Sequence, residues 1–249
     1  IGVAMGITGT DVSKEASDMI LADDNFATIV NAVKGGRIIY DNIRKFAFFL
    51  MRCNFDELAI IGVFALAGLP LPLTAAMILW INLVTDGGPA IALSMDPPIE
   101  DVMRRPPRDP EEGILHGRVA SILASFVMQC LGTALVFCWA YFMLGETLEK
   151  ARTMAFMQAV MRELVIVWNC RSEKRSAFRV PLLSNKFLVI ATVFSLLASV
   201  SLCYVPVLQV MFGTVSLSPS DWVFVSTVSL SGLLVLPEVF YGRKVLRWV

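Results

Sequence analysis

Two apolar stretches carry polar groups where a lipid-facing segment has no use for them. The first holds Asn54, Asp56 and Glu57; the second holds Asn82, Thr85 and Asp86, followed directly by Gly87-Gly88-Pro89. A carboxylate at the centre of a bilayer costs about 2.5–3.5 kcal/mol on insertion scales, so it persists where it faces protein or water and has a task there. Every group on offer is an oxygen donor. Carboxylates, amides and a hydroxyl suit a hard cation such as Ca²⁺, which gathers about 6–8 oxygens, whereas softer metals call for Cys or His. At about 100° per helical residue Asn54 and Glu57 share a face, as do Asn82 and Asp86. Gly87-Gly88-Pro89 is expected to break the second helix, because proline lacks the amide donor and crowds the preceding turn. Carbonyls freed by such a break can line an ion site. The plainer alternative is two kinked helices whose polar groups only bond one another.

The elements that must carry these groups are membrane helices. A hydrophobic share of 56% against 17% charged residues, with a mean hydropathy of +0.69, lies outside the range of soluble domains. The formal net charge is zero, which gives no reason to expect a nucleic-acid partner. Cys53, Cys130, Cys138, Cys170 and Cys203 are scattered without CxxC spacing and read as buried reduced thiols. The chain opens at Ile1 with no signal peptide, inside what reads as a soluble segment, and is therefore expected to be a fragment.

Residues 1–28 read as two short strands, at 1–5 and 18–22, around a helix at 11–17 that Asp11 can cap. Gly2, Gly6 and Gly9 there suit turns and close packing better than a nucleotide loop. Residues 29–249 read as a membrane domain that starts with a helix over 29–67. Its length of about 60 Å is twice the hydrocarbon thickness, so it projects from the membrane as a lever. Further spans are expected at 73–95, 119–144, 152–170, 187–205 and 222–241, making six transmembrane helices. Lysine and arginine cluster at 34–52, 104–118, 171–186 and 243–247, while 207–220 has none, so the positive-inside rule puts both termini on the cytoplasmic side. Arg162 and Glu163 form a polar pair inside the fourth of these spans. Arg162 is expected to pair with Glu163 or with neighbouring helices, and Asp109, Glu111, Glu112, His116 and Glu238 to be solvated or snorkelling surface groups.

The run ILWINLVTDGGPAIAL at 78–93 and the following MDPPIEDVMRRPPR at 95–108 closely resemble the sixth membrane helix and next cytoplasmic loop of P-type cation ATPases, nearest to the calcium-pump branch. The resemblance covers essentially the whole chain. It implies a mainly α integral membrane helical bundle of six transmembrane helices, membrane helices five to ten of the pump, preceded by an α/β phosphorylation-domain remnant at residues 1–28. It implies one ion site from Asn54, Glu57, Thr85, Asp86 and Glu163, and a share of a second from Asn82 and Asp86. Further ligands on a fourth membrane helix would lie upstream, as would the phosphorylated Asp of DKTGT and the Mg²⁺-binding TGDGVND, through which ATP and Mg²⁺ act. The fragment itself therefore holds no catalytic residue. Its implied partners are the lipid bilayer, the transported cation and the upstream domains of the same pump.

Ca²⁺ transport with proton countertransport is the leading expectation. A pump for Na⁺ or another cation is the alternative, although sodium-potassium pumps carry Asp where this chain has Asn82, and an ATP-independent channel or transporter is a further one. Asp56 stands where calcium pumps have a small residue, about 200° from Asn54, and is expected to face another helix. Arg52, one turn before the site, is also unusual for the family and can perturb the site by its charge.

Overall fold

The computed structural model describes residues 1–98, 101–107, 113–114, 119–172 and 179–234. Asp109, Glu111, Glu112, His116, Glu238 and the end of the span expected at 222–241 lie outside the described residues. Contacts divide the chain into two units, Ile1–Asp41 with Glu100–Arg108 and Asn42–Ile99 with Asp109–Val249.

In the first unit, strands β1 (Val3–Met5) and β2 (Met19–Leu21) pair in parallel, with Ala4 opposite Ile20. Helix α1 (Asp11–Glu15) connects them. Its cap is Thr10 and not Asp11: the Thr10 backbone is extended and its hydroxyl oxygen accepts the Ser13 amide at 3.2 Å. Asp11 is instead the first helical residue, where a negative charge meets the positive end of the helix dipole. Gly9 is needed for close approach, since a Cβ there would lie 2.0 Å from the Met5 carbonyl oxygen. Asp24 closes the motif by accepting the amides of Ile7 and Thr8, both at 2.8 Å, and the Thr8 hydroxyl at 2.7 Å. Those donors, the Ile7 amide foremost, hold the Asp24 carboxyl below the usual carboxylate range. Arg37 donates to the carbonyls of Val102 and Arg105, and Arg105 pairs with Asp41, which fixes the short 3-10 turn Val102–Arg104 within this unit.

Helix α2 (Ala27–Leu66) runs 40 residues without interruption through Gly35-Gly36, and its second part belongs to the other unit. There it is joined by α3 (Ala75–Trp80), a π-helical segment (Ile81–Asp86) and α4 (Gly87–Ser94), which follow one another without a gap. Next come α5 (Val119–Cys138) with a π-helical end (Trp139–Met143), α6 (Leu148–Asn169), α7 (Lys186–Tyr204), α8 (Pro206–Phe212) and α9 (Pro219–Ser229), which runs into a 3-10 turn (Leu230–Leu234).

Among the described residues, three helices are long and apolar enough to cross a membrane: Ala75–Ser94, Val119–Met143 and Lys186–Tyr204. The other expected spans differ in kind. The apolar half of α2 carries Arg52, Asp56 and Glu57, and α6 carries Arg162 and Glu163 beyond the charges of its first turns. Helix α6 is the centre of the unit, packed against α5 and α9, with 15 of its 22 residues buried. The outward faces are apolar. On α7, Ile190, Val193, Phe194 and Leu197 are exposed at i, i+3, i+4 and i+7 spacing, a stripe suited to lipid. On the inside, Arg52, Arg162 and Arg171 are among the largest fully buried side chains.

Candidate functional site

The helix that carries Asn82, Thr85 and Asp86 is not broken at Gly87-Gly88-Pro89. It widens into π geometry over Ile81–Asp86 and resumes as α4 from Gly87. Pro89 falls in the first turn of α4, which continues the π segment without a gap, so its missing amide proton leaves a preceding carbonyl without a helical donor. Tertiary contact supplies what the local pattern does not show: the Ser195 hydroxyl on α7 donates to the Val84 carbonyl at 2.7 Å, and Ser199 accepts the Trp80 indole N–H at 3.0 Å. The expected break is thus a wider turn with its loosened carbonyl satisfied. π turns of this kind recur at functional sites.

The π turn brings three helices together. Asn82 donates to Glu57 Oε2 on α2 at 2.8 Å and to the carbonyl of Ile78 at 3.1 Å. Glu57, Thr85, Asp86 and Glu163 are buried, the middle two completely. Five of their oxygens find no nitrogen or hydroxyl donor among the described residues: Glu57 Oε1, Thr85 Oγ1, both Asp86 oxygens and Glu163 Oε2. A buried polar atom left unpaired costs about 1–3 kcal/mol. The carboxylates also repel one another: the Glu57 charge acts on Asp86, and the Asp86 and Glu57 charges act on Glu163, which Arg162 offsets in part. Such an arrangement calls for a positive guest. Hard oxygen donors of this number and charge fit Ca²⁺ or a similar cation in chemistry.

Asn54 stands apart from this group. It is exposed and turns its amide back to the Leu50 carbonyl at 2.8 Å, so its own helix satisfies it. Asp56 faces the opposite way, as its position 200° from Asn54 requires. It accepts from Ser125 at 3.1 Å on α5 and pairs with Arg162 at 3.3 Å on α6. Arg162 also donates to Gln129 Oε1 at 2.7 Å and to the Ser125 carbonyl at 3.1 Å, and so is tied to neighbouring helices. Arg52 is buried with its Nε and Nη2 unpartnered among the described residues.

Two features escaped sequence reasoning. The first is Cys53, whose sulfur lies within 4.8 Å of carboxylate oxygens of Asp86 and Glu163, which themselves are that close to each other. The second is a buried node just beyond α4. Asp96 accepts Lys45 of α2 at 2.8 Å, Arg171 after α6 at 2.9 Å and Asn185, the N-cap of α7, at 2.9 Å. Asn42 adds a bond to the Asp96 carbonyl at 2.9 Å. The node fixes the end of the helix that bears Asp86. One local signal did exist for the α7 contact: Ala191, Ser195 and Ser199 repeat small residues every fourth position in an otherwise apolar helix, a pattern that lets helices approach closely.

Apolar helices with outward-facing hydrophobic stripes and charged groups turned inward define a multi-pass helical membrane protein. Residues 70–240 match the family described as "Cation transporting ATPase, C-terminus", and the chain belongs to that family. It is 44% identical to the calcium-transporting ATPase of Bacillus subtilis (strain 168) over 245 residues, 98% of this chain and 27% of that protein. Against calcium-transporting ATPase 1 of Bacillus cereus the identity is 40%, over 98% of this chain and 29% of the relative. Against the human calcium-transporting ATPase type 2C member 1 it is 39%, over 99% and 27%. The chain therefore spans less than a third of the length of these relatives.

Proposed function

We propose that this chain is the membrane part of an ATP-driven P-type pump that transports Ca²⁺, and that Glu57, Asn82, Thr85, Asp86 and Glu163 hold the ion. The observation that carries the proposal is Asp86, completely buried among like charges and without a nitrogen or hydroxyl donor to its carboxylate among the described residues. An anion so placed is stable when a cation neutralises it. The names of the relatives support Ca²⁺ as that cation.

In this reading the chain crosses the membrane six times with both ends cytoplasmic, and residues 1–28 are the end of the phosphorylation domain. ATP and Mg²⁺ act through upstream residues. Helix α2 carries the movement of the phosphorylated domain to Glu57, and the Glu57–Asn82 bond passes it to the π turn. Asn54 joins the ligands when upstream helices cover its exposed face. Once Ca²⁺ has left, buried carboxylates without a counter-ion take up protons, so proton countertransport accompanies Ca²⁺ release.

The test is phosphoenzyme formation from ATP by the full-length pump in the presence of Ca²⁺, Mn²⁺, Na⁺ or K⁺. Ca²⁺ is expected to give the highest level. Phosphorylation driven by Na⁺ or K⁺ and indifferent to Ca²⁺ would overturn the reading.

A further inference from the structure

Cys53 lies on α2, on the face turned to Asp86 and Glu163. It is one of five cysteines, and all five are free thiols. Burial alone gives it no special standing, since Cys170 and Cys203 are as deeply buried. Its neighbours set it apart. Among the described residues Cys53 is the one cysteine whose sulfur shares a space with two carboxylates, each contributing an oxygen within 4.8 Å of the sulfur and of the other. Asp86 and Glu163 Oε2 have no nitrogen or hydroxyl donor among the described residues, and the Cys53 thiol is the hydrogen-bonding neighbour of Asp86. One sulfur and two oxygens therefore converge with ligand capacity to spare.

The hardness of the donors decides what such a pocket holds. Carboxylate oxygens bind Ca²⁺ well, and a thiol adds little to a hard ion. For a soft divalent ion the order reverses, because the sulfur forms the strongest bond of the set. We infer that Cys53, Asp86 and Glu163 form a thiolate-carboxylate site for soft divalent cations, occupied by Cd²⁺-like ions in competition with Ca²⁺.

Binding breaks the S–H bond of Cys53 and forms a metal–sulfur bond, and the thiol proton passes to the aqueous phase together with any proton that Asp86 or Glu163 took up in the ion-free state. The thiolate and the two carboxylates carry three negative charges against the two of the ion, so no other anion is required. Cd²⁺ is close to Ca²⁺ in size and enters the same space. Once bound through sulfur it leaves more slowly than Ca²⁺, which makes the site a trap within the transport path. The inference rests on the pump reading only in that the same two carboxylates serve the transported ion.

The experiment uses the full-length pump in detergent with Cd²⁺ alone as the probe. Direct binding is followed through the ultraviolet sulfur-to-cadmium charge-transfer band, and competition through the displacement of Ca²⁺. The unsubstituted pump is expected to show the band, and Ca²⁺ in excess to suppress it. Cys53→Ser should remove the band and lower the ratio of Cd²⁺ to Ca²⁺ affinity by about 10–100-fold, a range already reached when groups outside the ligand sphere are changed. A Ca²⁺-suppressible band of undiminished intensity in Cys53→Ser, or a ratio that moves less than about twofold, would overturn the inference.

A second measurement needs no substitution. X-ray absorption at the cadmium edge of the unsubstituted pump should show a sulfur ligand beside oxygens, and a shell of oxygens alone would equally overturn the site. The two proposals fail separately. A pump that shows the Cys53-dependent band but no Ca²⁺-dependent phosphorylation refutes the calcium reading alone, while one with normal Ca²⁺-dependent phosphorylation and no band refutes the soft-cation site alone.

Discussion

Asn82 on the π turn donates its side-chain amide to Glu57 of α2 across 2.8 Å, so one polar pair joins the two helices that hold most of the unpartnered oxygens. The other oxygen of Glu57, Oε1, has no hydrogen-bond partner among the described residues. Asn82→Leu keeps the approximate size and removes the donor. It is expected to weaken Ca²⁺ binding by the full-length pump by about 1–3 kcal/mol, the cost of leaving a buried acceptor unpaired. Equilibrium Ca²⁺ binding checks it, and an unchanged affinity would assign the bond a purely structural part.

Asp86 is the one carboxylate on the π turn, and the resemblance assigns it to both ion sites. Asp86→Asn removes a unit charge at nearly constant size, and charge-assisted contacts are about twice as strong as neutral ones. It is expected to abolish Ca²⁺-dependent phosphorylation from ATP while leaving phosphorylation from inorganic phosphate, which uses the ion-free form. Glu57→Gln and Glu163→Gln are expected to leave measurable binding at the other site. Normal Ca²⁺ transport by a folded Asp86→Asn pump would sink the shared-ligand assignment.

How much of this could be read in advance depends on the range of the interaction. The course of α2 and the two strands around α1 follow from local pattern; polar residues inside apolar runs marked Asn54, Asp56, Glu57, Asn82, Thr85 and Asp86, and the family resemblance added a role for Glu163. The π turn did not follow, because the local effect of Pro89 is to stop a helix, whereas the Ser195 contact that tolerates a wider turn comes from 111 residues away. The Asp96 node was equally hidden. Its partners Lys45 and Asn185 lie 51 and 89 residues distant, and a lone aspartate before two prolines reads as an ordinary loop residue. Asn54 shares a helical face with Glu57 by angle, yet only one of the two is covered by a neighbouring helix.

Asp56 and Arg162 are both buried and paired at 3.3 Å. Removing one partner strands the other, so Asp56→Leu and Arg162→Met are each expected to destabilise the folded protein by about 3–5 kcal/mol, and the double replacement to recover most of that loss. Thermal unfolding of the single and double variants in detergent measures the coupling. Additive losses would show that the pair does not act as a unit.

At Asp96 one carboxylate meets two cations, Lys45 at 2.8 Å and Arg171 at 2.9 Å. Asp96→Asn leaves both cations buried without an anion. It is expected to lower stability by about 3–5 kcal/mol and to loosen the start of α7, whose N-cap Asn185 also bonds Asp96. Hydrogen exchange over the peptide that begins at Lys186 reads the second effect.

Asp24 titrates lower in the folded unit than its ordinary value of 3.8, because the Ile7 amide and the other donors favour the charged form. A group whose folded pKa is depressed contributes stability above its unfolded value and loses it as pH falls through the folded value. The turn between β1 and α1 is therefore expected to hold at neutral pH and to open only below 3.8, later in an acid titration than a free aspartate would allow. Amide exchange at Ile7 and Thr8 checks the window, and Asp24→Asn should remove the pH dependence.

The helices long enough to cross a membrane are not of one length. Lys186–Tyr204 has 19 residues and Val119–Met143 has 25, about 28 Å and 37 Å at 1.5 Å per residue. A hydrocarbon layer of about 30 Å matches the first nearly upright and leaves the second too long, so the second must lean or thicken the lipid around it. Hydrophobic mismatch therefore falls on one of these helices and spares the other. Bilayer thickness thus acts on α5, and through its packing on α6, more than on α7.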